Sequence, residues 1–277
     1  CIGIPHMNRI LIIAPNWIGD AVMSQPLLAS LKEIYPHSSI DVLASPWVAS
    51  IYRSCAEVNE IIEAGLAHKQ LQWGLRKKIA AQLKTRQYEA CFVLPNSFKS
   101  ALIPWLANIP LRIGYRGEMR FGLINVALDN PSKINRPPMV EHYLALSMLL
   151  EDEDQEESQQ ALNNALTPHL NVSTSARQSI QSKLQSANIH GSIYVMCPGA
   201  EYGVTKRWPT DHFAKLAQQL ISNGPDAHVI LLGSKGDHIL GQSIQTQAGN
   251  LSHIHNWCGE TSLDEAIALI GMSKALI

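Results

Sequence analysis

The chain has 277 residues, 46% of them hydrophobic, with 22 lysines and arginines against 23 acids and a formal net charge of −1. That length suits one large domain or two ordinary ones, with ample core for either. The near-neutral balance lacks the basic excess that a nucleic-acid-binding protein needs, so no nucleic-acid partner is expected. Five cysteines (Cys1, Cys55, Cys91, Cys197, Cys258) are scattered and never spaced C-x-x-C, and read as reduced core residues of a cytoplasmic protein. No apolar run reaches the roughly 18 residues of a membrane span, and no signal peptide is expected. Cys1 to His6 precede Met7 and read as material ahead of the natural start.

Arg9 to Leu31, RILIIAPNWIGDAVMSQPLLASL, opens with a short β-branched run, Ile10 to Ala14, that predicts a strand buried on both faces. A turn follows, containing Asn16, Gly19 and Asp20, and a helix is predicted from there to Tyr35, ended by Pro36. A strand feeding a helix through such a turn places it at the carboxyl edge of a parallel sheet, where open α/β sheets bind ligands. Asp20, the stretch's only acid, either caps the helix or does chemistry there.

The rhythm continues with strands at Ile40–Ala44, Glu60–Ala64, Ala90–Leu94 and Leu111–Gly114, and helices at Trp47–Cys55, Leu71–Lys84 and from Ser97 to Leu106. Asn96 lies in the turn after the fourth strand, and Ser97 can cap its helix. Alternating strands and helices predict a parallel, doubly wound sheet. Arg112 to Leu123 carries three arginines (Arg112, Arg116, Arg120) and three glycines with no clean period, and predicts an irregular loop. With Lys133, Arg136, His142 and Tyr143 before the next helix, it reads either as a site for an anionic partner or as a solvated loop with its arginines paired to nearby acids.

Glu151 to Gln160, EDEDQEESQQ, is acidic and reads as a solvated linker. Its D-x-D, Asp152 and Asp154, follows no strand that would fix both carboxylates, so it is not read as a metal site. A helix at Ser175–Ser186 opens a second α/β unit, with strands at Ile193–Cys197, His228–Leu232 and Leu251–Asn256, and a helix at Thr210–Ile221. The turn Pro198 to Pro209 holds Gly199, Glu201, Gly203, Lys206 and Arg207 ahead of that helix. Its glycines, two cations and helix start suit a diphosphate. Gly233 closes the next strand, and Gly259-Glu260-Thr261 precede a helix whose Ser262 and Glu265 have capping-box spacing. His253 and His255 share one face of a strand but have no evident third metal ligand. Ala275-Leu276-Ile277 reads as the start of a strand, so the sequence is expected to break off inside its second domain. Neither half carries G-x-G-x-x-G or a P-loop.

NWIGDAVMSQPL (16–27), RIGYRGEMRFGL (112–123), PGAEYGVTKRWP (198–209) and GETSL (259–263) together resemble the ADP-heptose:lipopolysaccharide heptosyltransferases, over the whole chain from Met7. The resemblance implies a GT-B glycosyltransferase, two Rossmann-like domains facing across a cleft. Residues 7–150 would form an acceptor-binding domain, 151–172 a linker, and 173–277 an incomplete nucleotide-sugar domain. It implies inverting, metal-independent transfer of heptose from ADP-heptose to the first heptose of the inner core, with no cofactor. By motif position, Asp20 matches the proposed base and Lys206 the lysine on the donor diphosphate. Glu260 and Thr261 fall in the segment lining the nucleotide. Gly199, Glu201, Arg207 and Gly233 complete the expected donor set. Asn16, Gly19, Asn96, Arg112, Arg116 and Arg120 form the expected acceptor set. The acceptor is an anionic Kdo-lipid A-heptose, so peripheral contact with the inner leaflet of the inner membrane is expected from the cytoplasm. The family continues into a D-[ST]-G-x-x-H motif beyond Ile277. The rival readings are a nucleotide-sugar epimerase and a non-catalytic binding fragment.

Overall fold

The apolar run at the head of the chain forms strand β1 (Arg9–Ile13), whose Ile10, Leu11 and Ile12 are fully buried. Burial on both faces requires neighbours on both sides, and β1 has parallel partners in β2 (Ser39–Ala44) and β4 (Ala90–Val93). The computed structural model describes residues 7–65, 71–132, 134–150, 167–200 and 204–277. Glu151 to Gln160, with its D-x-D, and Glu201 lie outside them. The chain divides into two compact units, Cys1–Asn171 and Val172–Ile277.

In the first unit, β3 (Val58–Glu63), β5 (Leu111–Tyr115) and β6 (Val126–Leu128) complete an all-parallel sheet of order β3-β2-β1-β4-β5-β6. Leu11, Cys91 and Val93 pack on one face of it against Ile79 and Leu83 of α4 (Trp73–Lys84) and Ile103 of α5 (Phe98–Leu106). As read from sequence, Ser97 caps α5, accepting from the Ser100 N–H. Asp41 is fully buried within β2 and is held by the Tyr88 hydroxyl at 2.6 Å and Asn59 at 2.8 Å. The described end of the expected linker belongs to this unit: the His169 and Asn171 N–H groups donate to Gln25 and to the Ser54 carbonyl.

The single helix expected after β1 is two, α1 (Ile18–Met23) and α2 (Gln25–Ile34). Pro26 has no N–H and its ring crowds the carbonyl four residues back, so the helix breaks before it, at Ser24. The Ser24 hydroxyl bonds to the Ala21 carbonyl and the buried Tyr52 hydroxyl. Two other elements depart from the sequence reading. Strand β6 is only three residues long, and His142 and Tyr143 lie inside a short helix, α6 (Met139–Leu144), instead of preceding one.

The second unit repeats the plan with α7 (Thr174–Ser186), β7 (Ser192–Met196), α8 (Thr210–Asn223), β8 (Ala227–Leu231), α9 (His238–Gln247), β9 (Ile254–Asn256), α10 (Leu263–Met272) and β10 (Ala275–Leu276). The sheet is parallel, in the order β10-β7-β8-β9. Ile180 and Leu184 of α7 with Ala268 and Leu269 of α10 cover one face, and Phe213, Ala217 and Ile244 of α8 and α9 cover the other. Ser262 and Glu265 form the expected capping box on α10. The strand expected at the chain's end is present as β10, paired with β7.

Candidate active site

In an open parallel sheet the connections leave adjacent strands in opposite directions at one place, opening a crevice at the carboxyl edge. In the first unit that place lies between β1 and β4. Asn16 follows β1 and Asn96 follows β4, and both line two neighbouring cavities of about 250 and 420 Å³. The Trp47 indole N–H donates to the Asn16 carbonyl at 2.8 Å and fixes the first turn.

Asp20 lines the smaller cavity with Trp17, His142 and Tyr143. It does not cap α1, whose N-cap is Trp17. Asp20 sits inside the first turn, and its carboxylate accepts no hydrogen bond from another described residue. Half-buried, it is raised above the ordinary aspartate value by loss of water. Its charge in turn raises the Tyr143 phenol, which burial already holds protonated. A carboxylate beside a cavity, with no bonded partner among the described residues, is placed to accept a proton from a donor bound there. Gly19, next to it, adopts no left-handed conformation, and a Cβ there would meet open space.

His142 reaches this cavity from α6 and is 3% exposed. Its Nδ1 has no hydrogen-bond partner among the described residues, and burial followed by the charge of Arg136 lowers it to about 4, so the ring is neutral. In the larger cavity the buried Ser45 hydroxyl likewise has no partner among the described residues, and it lies alongside Lys99 and the buried Arg76. Sequence reading names His142 only within the basic cluster after the fifth strand and does not single out Ser45, Arg76 or Lys99 as site components. The four lie 25 to 122 positions from Asp20 and carry no local motif.

The three arginines expected to share an anionic ligand are placed differently from one another. Arg120 is 2% exposed and donates to the Tyr115 and Pro95 carbonyls and to Asn96 Oδ1. Burial lowers it to about 10. Arg112 donates to the Ile109 and Leu123 carbonyls. Both guanidiniums are spent on the loop itself, because backbone carbonyls released from regular structure need donors. Arg116 is exposed and pairs with Asp129 at 2.8 Å.

In the second unit the turns after β7, β8 and β9 converge at the carboxyl edge. A Cβ on Gly199 would fall 2.5 Å from the Asp237 carboxylate, and one on Gly233 would meet Asp237 and Cys258. The Gly259 N–H donates to the Gly233 carbonyl at 2.9 Å. These glycines let three turns touch. Lys206 ends a 3₁₀ turn, with its side chain exposed. Arg207 Nη2 bonds to the Ala200 carbonyl at 3.3 Å, while its buried Nε has no partner among the described residues. Glu260 is exposed and its carbonyl accepts from Lys183, and Thr261 follows it, half-buried. Trp208 packs against the start of α8, stacked on His212 and edge-on to Phe213. His253 and His255 cluster with His228, whose Nδ1 lies 3.1 Å from His255 Nε2. Among the described residues no three His, Cys, Asp or Glu side chains group as a metal site.

The model of glycosyltransferase family 9 (heptosyltransferase) matches residues 76–277. The chain is 42% identical over 276 residues to lipopolysaccharide heptosyltransferase 2 of Salmonella typhimurium, covering 97% of this chain and 76% of that protein. It is similar to the solved Escherichia coli ADP-heptose lps heptosyltransferase II at 38% identity and a TM-score of 0.81, over 97% of this chain and 78% of that one. The E. coli heptosyltransferase WaaC with ADP shares the fold, at 18% identity and a TM-score of 0.69, over 97% of this chain and 80% of that one. Because the likeness runs through both units and takes in both carboxyl-edge turn clusters, the chain belongs to glycosyltransferase family 9, the heptosyltransferases, and is a glycosyltransferase.

Proposed function

We propose that the enzyme moves L-glycero-D-manno-heptose from ADP-heptose to the first heptose of the lipopolysaccharide inner core, with inversion and with neither metal nor cofactor. The observation that carries the reading is Asp20, half-buried, raised by desolvation and with no hydrogen-bonded partner among the described residues, at the β1–β4 crevice. Similarity to proteins named lipopolysaccharide heptosyltransferase 2 supplies the substrate class.

The first unit takes the acceptor. Asn16, Gly19 and Asn96 border its sugar, and Arg116 meets its anionic groups. Arg112 and Arg120 serve by shaping the loop. An acceptor hydroxyl attacks the anomeric carbon while its proton passes to the Asp20 carboxylate. The bond from that carbon to the diphosphate oxygen breaks as the new C–O bond forms, and ADP leaves with the electron pair. The transition state has oxocarbenium character, and one displacement at one carbon inverts it. A carboxylate lifted toward neutrality is a stronger base than a free one, and a positioned base contributes roughly 10²–10⁴-fold.

In the second unit Lys206 and Arg207 neutralise the departing diphosphate, and the close-packed turns at Gly199 and Gly233 offer backbone N–H groups to it. Glu260 and Thr261 border the nucleotide. Glu201 is assigned to this set by its place in the motif alone. A lipid-linked acceptor puts the enzyme at the cytoplasmic surface of the inner membrane. No helix among the described residues is long and apolar enough to cross it.

The test is ADP release from ADP-heptose, with and without singly heptosylated Kdo₂-lipid A. Release that requires the acceptor supports transfer. Consumption of ADP-heptose without acceptor would replace the reading with epimerase or hydrolase chemistry. Binding of ADP without turnover would replace it with a binding fragment.

A further inference from the structure

Asp20 shares its cavity with two buried polar side chains from α6, His142 at 3% and Tyr143 at 4% exposed. Like the Asp20 carboxylate, the Tyr143 hydroxyl has no hydrogen-bond partner among the described residues, and burial with the Asp20 charge keeps it protonated. In His142 the sealed nitrogen is Nδ1. A buried N–H left without an acceptor is rarer than a buried lone pair left without a donor, so the neutral ring carries its proton on Nε2. The cavity is therefore lined by an acceptor (the Asp20 carboxylate), a donor (the His142 Nε2–H) and a group that does both (the Tyr143 hydroxyl).

The two rings are held where they stand. His142 lies on Tyr115 and meets the Tyr143 ring edge-on, with centroids 5.9 Å apart and planes at 67°. Past α6, the Ser30 hydroxyl of α2 donates to Ser147 Oγ at 2.9 Å and ties that end of the helix down. Unpaired buried polar groups are costly, and several converging on one cavity mark a place where the polar groups of a ligand satisfy them.

We propose that His142 and Tyr143 read a hydroxyl of the acceptor sugar next to the one that attacks, selecting the sugar and turning the attacking oxygen toward Asp20. Of two vicinal oxygens, one donates to the Asp20 carboxylate. Its neighbour accepts from His142 Nε2–H and donates to the Tyr143 oxygen. Every polar group of the cavity wall then has a partner of the right kind. An anion would be opposed by Asp20, and an apolar group would leave the donors unpaired, so a neutral hydroxyl is the chemistry that fits. The cavity, about 250 Å³, is smaller than the roughly 300–1,000 Å³ of drug-sized ligand pockets, which suits one sugar ring. The inference deepens the proposed acceptor site and rests on that reading for the identity of the sugar.

The test is calorimetric binding, without ADP-heptose, of a lipid-free heptosyl-Kdo disaccharide and of its analogues lacking one hydroxyl beside the attacking one. The chains compared are the wild type, His142→Phe and Tyr143→Phe. One of the deletions is expected to weaken wild-type binding about tenfold. His142→Phe keeps a ring on Tyr115, should bind the parent disaccharide about tenfold more weakly, and should lose nothing further with that analogue, because both changes remove the same bond. Tyr143→Phe should couple to the same analogue. The unfolding midpoint of His142→Phe should be unchanged or higher, since a partnerless buried nitrogen is gone. A histidine with only a structural role would give a lower midpoint and unchanged binding, and that result would overturn the proposal. So would a wild type that binds no disaccharide, or losses from His142→Phe and from each deletion that simply add. Failure of acceptor-dependent ADP release with the coupling intact would remove the transferase reading and leave the sugar site standing.

Discussion

The His142 imidazole lies flat on the Tyr115 ring, with centroids 3.8 Å apart and planes 8° from parallel, and the Tyr115 hydroxyl donates to the His142 carbonyl at 2.6 Å. One side chain at the end of β5 thus fixes both the ring and the backbone of a residue in the Asp20 cavity. Tyr115→Phe keeps the stack and removes the bond, and should cost about 1 kcal/mol. Tyr115→Ala removes both and should cost about 3–5 kcal/mol. Urea titration of the two variants checks the order, and equal losses would show that the stack contributes nothing.

Acid should destabilise the protein before its carboxylates protonate. Burial, with a smaller contribution from neighbouring charges, lowers His142 and His255 to about 4, and lowers His228 in the same direction. In the unfolded chain a histidine titrates near 6.5. Below that pH the unfolded state takes up protons that the folded state refuses, so stability is full above about 6.5 and declines toward 4. Urea midpoints at pH 7.5 and pH 5 should differ, the lower pH giving the lower midpoint. His228→Gln with His255→Gln should narrow the difference. A flat profile would contradict the buried, neutral state of these rings.

Two arginines of the same loop should behave oppositely. Arg120→Ala orphans the Pro95 and Tyr115 carbonyls and empties a buried volume, so a loss of about 2–4 kcal/mol is expected. Lysine should not restore it, because an ammonium lacks the fork that reaches three acceptors. Arg116→Ala breaks only an exposed pair with Asp129 and should change stability by less than about 0.5 kcal/mol, while raising the acceptor KM. Melting curves separate the two directly. A strongly destabilised Arg116 variant, or a neutral Arg120 variant, would overturn the division of labour.

Two glycines offer a similar contrast. Gly259 has a left-handed backbone, and a Cβ would stand 2.6 Å from Lys235 Cα, so Gly259→Ala should cost about 1–3 kcal/mol. Gly19→Ala meets no atom and gains helix propensity, so the fold should be unharmed or slightly stabilised. If Gly19 borders the acceptor, its alanine variant should instead raise the acceptor KM. Steady-state kinetics on a stable variant is the check, and an unchanged KM would remove Gly19 from the site.

How far the sequence foretold this follows from the range of the interactions involved. Ile10 to Ile13 announce β1 because a doubly covered strand must be apolar at every position, a signal contained in four letters. The turn with Asn16 and Asp20 was readable for the same reason, lying between two local patterns. Val126–Leu128 was not, since three residues between Asn125 and Asp129 show no period. The break at Ser24 was hidden because Pro26 is compatible with a first helical turn and with a helix end alike. Arg120 resembled a solvent arginine: only the folding of residues 95, 96 and 115 around it, up to 25 positions away, reveals its acceptors. His142 reaches Asp20's cavity across 122 positions, and no local spacing records that.

The central claim, that Asp20 takes the acceptor's proton, is tested most directly by the pH dependence of kcat for acceptor-dependent ADP release by the wild type and Asp20→Asn. Asparagine keeps the size and removes the base. The wild type should show an acidic limb whose apparent pKa lies above the ordinary aspartate value of about 3.8, because desolvation raises this carboxyl. The variant should lose roughly 10²–10⁴ in kcat, with that limb gone and the KM for ADP-heptose unchanged. An Asp20→Asn enzyme that keeps the rate and the acidic limb of the wild type would contradict the assignment and place the base elsewhere in the crevice.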